Sequence, residues 1–534
     1  MAWYNSNWQY RKKVTVDYTK VSADLTDFPV YVDLADAGSD FFSNVKTDGS
    51  DIVVTSSDGT TKLSRELVSI DTSGQTGELH FKAPSLSSST NTDFYIYYGN
   101  ASASETNDTS TWDSNFLIVT HMKDDPDTSH VADSTSNGYN GTKAAANKPI
   151  ETTGNFGKAQ SFDGVDNSTY ITVSGTTSLL TGLTQATMSC WVNFPKSSNA
   201  QHFVVIRDGG NDFYIAYPGG NNSYLDVQID VAWLGAISLT PAFTDFGNWA
   251  HLAITRNSTS FKAYVNGVEA ASSNAVPTDA WTDTWYDLLY GATLNWSPDY
   301  TRVCQGDIDE VQVSKVERSS DWIATTYNNG NSPSTFYSIG AQETNNQPPA
   351  TPTNSSPANG ATNVSLTPTL QASAFSDPDG DGHAASQWQI TTVSGDYSSP
   401  VFDSGEDTTN LTSITLPSAL DPATTYYWHV RYKDDNSSPL WSSYSAETSF
   451  TTKDLRISGK VLKDGVGVQG AKLYLIDRTT DSVVDTTTTD VNGDYYFSKL
   501  DSSKTYHVCV EYETGGQKYR ADSHWAITPA EVDI

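Results

Sequence analysis

Short alternating runs constrain this chain more than any other feature. KVTVDY, FPVYVDL, GELHFKA, DFYIYYG, YITVSG, HFVVIRD, FKAYVNG, YYWHVRY and GDYYFSKL recur along it, each bounded by Gly, Ser, Asn, Asp or Pro. A period of two with turn residues at both ends puts one strand face in a core and the other in solvent. Sustained 3.6-residue periodicity is nearly absent. Only 318–328 (RSSDWIATTYN) predicts a short helix, with Ser319 or Ser320 as N-cap. Runs spaced by about ten residues imply antiparallel sandwiches. A chain of 534 residues exceeds what one core serves, so several domains are expected.

Charge narrows the partners. Lys and Arg number 31 against 63 Asp and Glu, a net charge of −32. Nucleic acid and anionic membrane surfaces attract basic patches, so neither is an expected partner. No apolar run reaches the length of a membrane-spanning helix, and membrane insertion is not expected. The opening MAWYNSNWQYRKK lacks an apolar h-region. The expectation is therefore either a trimmed signal or release by another route, such as the lysis used by viruses. Cys190, Cys304 and Cys509 are odd in number and widely spaced, giving neither a disulfide framework nor a zinc spacing. Buried free thiols are expected.

Three boundaries divide the chain. Residues 100–115 are small and polar, 344–358 carry four prolines, and 451–455 separate two strand-rich blocks. The expected architecture is all-β, four antiparallel β-sandwich modules in tandem over 1–112, 113–343, 344–453 and 454–534.

Each module resembles a known family. In 1–112, Trp8, Tyr10, Arg11 and Lys12, then Leu25–Val30, Asp48–Ile52, Asp58-Gly59-Thr60 and Tyr95–Asn100 resemble an uncharacterised, jelly-roll-like β-domain of bacterial, archaeal and viral surface proteins. In 113–343, Asp133–Gly138, Gly157–Gly164, Thr187–Val192, Trp249–Ala253 with Tyr264–Gly267, and Gly306–Val311 resemble the laminin G-like, concanavalin A-like sandwich. That resemblance implies glycan or protein binding, often with structural calcium. In 344–453, Leu420, Pro422, Thr424, Tyr426 and Val430 resemble a fibronectin type III-like spacer, with Tyr426 as its corner tyrosine. In 454–534, Ile457–Val461, Gly470–Leu473 and Thr489–Phe497 resemble the prealbumin-like, carboxypeptidase regulatory-like repeat. Leu473–Arg478 and Ser523–Pro529 look closer to its phage version.

Catalytic patterns are weak. A concanavalin-like glucanase needs carboxylates that point together from one strand, as in E-x-D-x-x-E. Asp307-Ile308-Asp309-Glu310 comes nearest, but alternation places Asp309 and Glu310 on opposite faces. No H-E-x-x-H, C-x-x-C or G-x-S-x-G occurs, so no enzyme activity is expected. Calcium is the expected ion, because loops here are rich in carboxylates. Asp377, Asp379 and Asp381 fit D-x-D-x-D-G, although Trp388 stands where an EF-hand has Glu. By family position, Asp163, Asp166 and Asp309 are the second metal candidates. For glycans, Trp281, Trp285, Tyr286, Trp296 and Tyr300 concentrate rings beside Asp and Asn, the mix that stacks on sugars.

These readings point to a non-enzymatic structural or adhesion protein. A phage virion component (tail, fibre or capsid decoration) is favoured, with other virion proteins or its own copies as partners and a host surface glycan or protein as ligand. A bacterial secreted or cell-surface adhesin and a glycan-active enzyme are the alternatives.

Overall fold

Strand pairing follows the alternation. The computed structural model describes residues 3–532 except 166–168, 177, 208–211, 231–235, 277, 282–286, 295–299, 437, 502 and 523–526. The fold is all-β, and the chain forms two compact units, Met1–Asn345 and Asn346–Ile534.

The first unit holds two sandwiches. In the N-terminal one, Tyr337–Thr344, Tyr10–Val16, Thr92–Tyr98 and Val53–Ser56 form one sheet, in that order. Leu25–Asp33, Thr76–Leu86 and Arg65–Asp71 form the other, with Thr76–Leu86 in the centre. Val14, Val16, Val30, Val32, Phe81, Phe94 and Ile96 fill the space between them.

The larger sandwich packs two sheets around Ile118, Met188, Phe203, Ile215, Leu252, Ile254, Leu288 and Val313. Gln305–Ser314 lies inside its first sheet, between Lys158–Asp163 and Ala186–Asn193, and also takes Phe116–Thr120 as a partner. Cys190 and Cys304 are free thiols buried in this core.

Two features tie these sandwiches together. Tyr337–Thr344, expected at the end of 113–343, instead pairs antiparallel with Tyr10–Val16 and completes the N-terminal sheet. The expected helix runs Ser320–Asn331, and the Ser319 hydroxyl caps it by accepting from the Trp322 N–H at 3.1 Å. Near its other end, the Asn329 amide bonds both the N–H and the C=O of Tyr31, at 2.8 and 3.0 Å. Residues 1–112 and 113–343 are therefore parts of one body.

The second unit begins with a three-stranded sheet (Asn354–Ser356, Thr369–Ala372, Ser413–Thr415). A five-stranded sheet centred on Thr425–Asp434 faces it around Trp388, Trp428, Val430 and Phe450. The Asp421 N–H donates to the Tyr426 hydroxyl at 2.9 Å, the corner contact expected of that tyrosine. Lys472–Asp477 and Tyr506–Thr514 lead the last sheets, over Leu455, Leu473, Leu475, Phe497 and Tyr506.

Candidate functional site

The site is built by the outer face of the three-stranded sheet. In Thr76–Leu86, alternation sends Leu79 and Phe81 into the N-terminal core and Glu78 and His80 to the other side. Register places Tyr31 and Glu66 on either side of His80 across the sheet. This second face is covered by the larger sandwich, so Glu78 and His80 are buried too.

The sandwich supplies the opposing groups through a bulge. Asp309 pairs with Trp191 and Gln312 with Ser189, which leaves one extra residue in Gln305–Ser314. Glu310 absorbs it at φ 47, in the left-handed region. Ile308, Val311 and Val313 stay in the core, while Asp309 and Glu310 both reach the outer side. The expected separation of these two acids by strict alternation is thus overturned. Thr120 pairs with Val311, so the next residue, His121, lies beside Glu310.

The result is a buried carboxylate–histidine cluster. His121 Nδ1 lies 2.5 Å from Glu310 Oε1 and 3.3 Å from Glu78 Oε1. His80 Nε2 lies 3.0 Å from the same Glu78 oxygen. On the far side of the ring, His121 Nε2 lies 3.4 Å from Glu66 Oε2. The Trp112 indole N–H and the Ser134 hydroxyl donate to Glu66 at 2.6 and 2.7 Å. Tyr31, Trp112, Phe156 and Trp191 wall the cluster with rings.

Electrostatics follow from burial and proximity. Burial disfavours the His121 imidazolium, yet the charges of Glu310 and Glu66 raise its pKa well above the usual histidine value. Burial likewise pushes the Glu78 carboxyl up, and hydrogen bonds to His121 and His80 more than reverse it, holding Glu78 below the carboxylate range. Asp309 goes the other way. Burial, then the charge of Glu310, lifts it far above an ordinary aspartate, despite the Phe156 N–H it accepts at 2.9 Å.

Two spaces border the cluster. An open cleft of about 380 Å³ runs along Glu66, Asn107, Lys123, Asp125, Asp133 and Ser134, with His121 in its wall. A small cavity of about 30 Å³ touches His80, Glu310, Trp191 and His251.

Most residues singled out from sequence lie elsewhere. Asp309 joins the cluster. Asp163 does not: it pairs with Gln305, so Asp309 is four residues along the strand, about 13 Å away. Its carboxylate accepts from Val165 N–H and the Thr169 hydroxyl. The expected joint metal site of Asp163 and Asp309 therefore does not form, and Asp166 lies outside the described residues.

Asp377, Asp379 and Asp381 do converge, with one carboxylate oxygen from each within 4.8 Å of the others. Burial, then the charges of Asp377, Asp381 and Asp434, raise the Asp379 pKa.

The aromatic platform loses Trp281. It is a core residue, 1% exposed, with the Arg256 guanidinium 4.0 Å above its ring and Phe213 against its edge. Trp285, Tyr286 and Trp296 lie outside the described residues, and Tyr300 pairs with Leu294 in a two-stranded ribbon. Glu66, Glu78, His80, His121 and Glu310 carried no recognisable spacing in the sequence. The adjacent acids Asp309-Glu310 in an otherwise apolar strand were the one available signal.

No curated protein matches the sequence. Among solved structures, domain 4 of a GH43 extracellular arabinanase from Geobacillus stearothermophilus, in complex with arabinotriose, is similar at 20% identity. It covers 39% of this chain and 97% of that one, with a TM-score of 0.31. The sialidase CBM40 of Ruminococcus gnavus bound to α2,6 sialyllactose is 16% identical over 27% of this chain and 84% of its own, TM-score 0.24. A heptameric SAP-like pentraxin from Limulus polyphemus is 14% identical over 27% and 70%, TM-score 0.24. Family models match at two places, the domain of unknown function DUF2341 over residues 48–130 and the concanavalin A-like lectin/glucanases superfamily over residues 162–324. The chain is thus a multidomain β-protein that carries an N-terminal DUF2341 domain followed by a concanavalin A-like domain.

Proposed function

We propose that this chain is a non-enzymatic adhesion protein whose first unit binds a neutral glycan in the cleft between its two domains. The observation that carries this reading is the cleft itself. Its volume suits a short oligosaccharide, and its amide, hydroxyl, ammonium and carboxylate groups suit sugar hydroxyls. The chain's net charge of −32 disfavours anionic ligands at long range. The cavity lined by Glu310 and His80 has room for about one water, too little for a sugar ring, which favours binding over turnover.

The finer reading is a phage virion component, in a tail, fibre or capsid decoration, exposed outside the cell and held by other virion proteins or copies of itself. The phage-like Leu473–Arg478 and Ser523–Pro529 support it. A bacterial surface or secreted adhesin is its alternative.

Glycan-array screening and calorimetry on residues 1–345 test the binding. Lys123 and Asp125 reach the cleft, and Asp125 is exposed. Lys123→Ala and Asp125→Ala are each expected to weaken binding about tenfold, the loss of roughly 1.4 kcal/mol. Binding untouched by both, but lost in Trp285→Ala or Trp296→Ala, would move the site to 281–300. Absence of any glycan or host-cell binding would end the adhesin reading.

Calcium at Asp377, Asp379 and Asp381 belongs to the same proposal. Three close carboxylates repel, and a divalent ion removes that repulsion. Millimolar Ca²⁺ is expected to raise the melting temperature of the second unit, by about 2.7 kcal/mol of added stability at a hundredfold excess over Kd. A melting curve that chelator and calcium leave unchanged would refute it.

A further inference from the structure

We propose that Glu78, His80, His121 and Glu310 bind one divalent transition-metal ion of the zinc class, which staples the DUF2341 domain to the concanavalin A-like sandwich. One donor atom from each of the four residues lies within 4.8 Å of all the others. The donors come from both domains: Glu78 and His80 from Thr76–Leu86, His121 from the end of Phe116–Thr120, and Glu310 from the bulge. Three of their separations, 3.0, 3.3 and 2.5 Å, lie at or below the edge of a tetrahedral site. A tetrahedron with metal–ligand bonds of about 2.0–2.1 Å has edges of about 3.3 Å.

Donor chemistry selects the ion. Two imidazole nitrogens and two carboxylate oxygens suit Zn²⁺ and its neighbours. Calcium wants six to eight oxygens and is a poor match. This is a different site from the Asp377 loop, and it uses none of the calcium candidates.

Three further observations point to a cation. First, Glu66 sits on the other nitrogen of His121, fixed in turn by Trp112 and Ser134. A carboxylate behind a liganding imidazole is how metal sites fix ring orientation and basicity. Second, Glu66, Glu78, Asp309 and Glu310 gather four carboxyl groups against two imidazoles. Among the described residues, no lysine or arginine forms an ion pair with any of them. Third, His251 is 1% exposed, and its Nδ1 has no hydrogen-bond partner. It lines the 30 Å³ cavity that His80 and Glu310 also line. A water added to the four protein ligands as a fifth would face this nitrogen across the cavity, and buried polar nitrogens are rarely left unpaired.

The test uses the full chain, stripped by chelator and gel-filtered. Titration with Co²⁺ is expected to give the intense visible bands of a four- or five-coordinate ion, saturating at one equivalent. Zn²⁺ should displace the cobalt, and Ca²⁺ should not. Elemental analysis after Zn²⁺ loading should give one zinc per chain. Glu66→Gln keeps all four ligands and is expected to weaken Co²⁺ binding about 10- to 100-fold. His121→Gln and Glu78→Gln should abolish it. Substoichiometric uptake by the wild-type chain, or wild-type affinity in folded Glu66→Gln and His121→Gln, would overturn the proposal. The wild-type titration is decisive even where the ligand variants fail to fold.

Discussion

Expressed alone, residues 1–112 are expected to stay unfolded, while 1–345 folds cooperatively. The short piece lacks Tyr337–Thr344, so Tyr10–Val16 becomes a bare edge in the middle of what should be a sheet. It also loses Trp322, Ile323, Phe336 and Tyr337, all buried in the N-terminal core. Each such side chain contributes about 1.5–3 kcal/mol by burial. Their sum, roughly 6–12 kcal/mol, rivals the whole stability of a typical domain. The Asn329 amide bonds to Tyr31 go as well, and leave Leu25–Asp33 as a second bare edge. Far-UV circular dichroism and amide proton dispersion check this. A dispersed spectrum and a sharp melt from 1–112 would show that the strand is an accessory. Adding back a peptide of 333–345 should restore order only where the helix contacts are dispensable.

How far the sequence foretold this arrangement depends on the range of the signal. Period-two patterning is local, so the sandwiches and most strands could be read directly. The Ser319 cap and the Tyr426 corner are local as well, each a few residues across. Tyr337–Thr344 was opaque because YSIGAQET is polar and borders a proline-rich stretch. Its burial pattern is mostly exposed or intermediate, so beyond Tyr337 and Ile339 its place comes from ladder bonds to Tyr10–Val16.

The candidate site was hidden for a different reason. Positions 66, 78, 80, 121 and 310 share no motif, and they meet only because two sandwiches pack face to face. The bulge at Glu310 compounds this, since one inserted residue cancels the alternation on which a strand reading rests. Trp281 misled in the opposite direction. A tryptophan among Asp and Thr reads as surface, but the aliphatic and planar parts of buried Arg256 give its ring a partner inside. Asp163 and Asp309 failed as a pair through register alone.

Removing the Glu78 carboxylate is expected to be the most damaging single change in the first unit. Glu78 is 1% exposed and serves two imidazoles at once, His80 at 3.0 Å and His121 at 3.3 Å. In Glu78→Ala the protein keeps the desolvated imidazoles and loses the charge that compensates them. Breaking a buried ion pair from one side costs about 3–5 kcal/mol, where an exposed pair costs under about 1. Glu78→Gln preserves volume and one acceptor, so a smaller loss of about 1–3 kcal/mol is expected. Gly157 is a second but less specific position, because its φ of +30 strains any side chain. A Cβ there would lie 2.3 Å from Glu78 Oε2, so Gly157→Ala should push the carboxylate off its partners. Urea titration of 1–345 in chelator, where no metal contributes, ranks the three. The order Ala above Gln at 78 identifies the cluster as the joint between the domains, while Gly157→Ala destabilises through backbone strain as well. A Glu78→Ala loss below about 1 kcal/mol would mean that the aromatic walls of Tyr31, Phe156 and Trp191 hold the domains together without it.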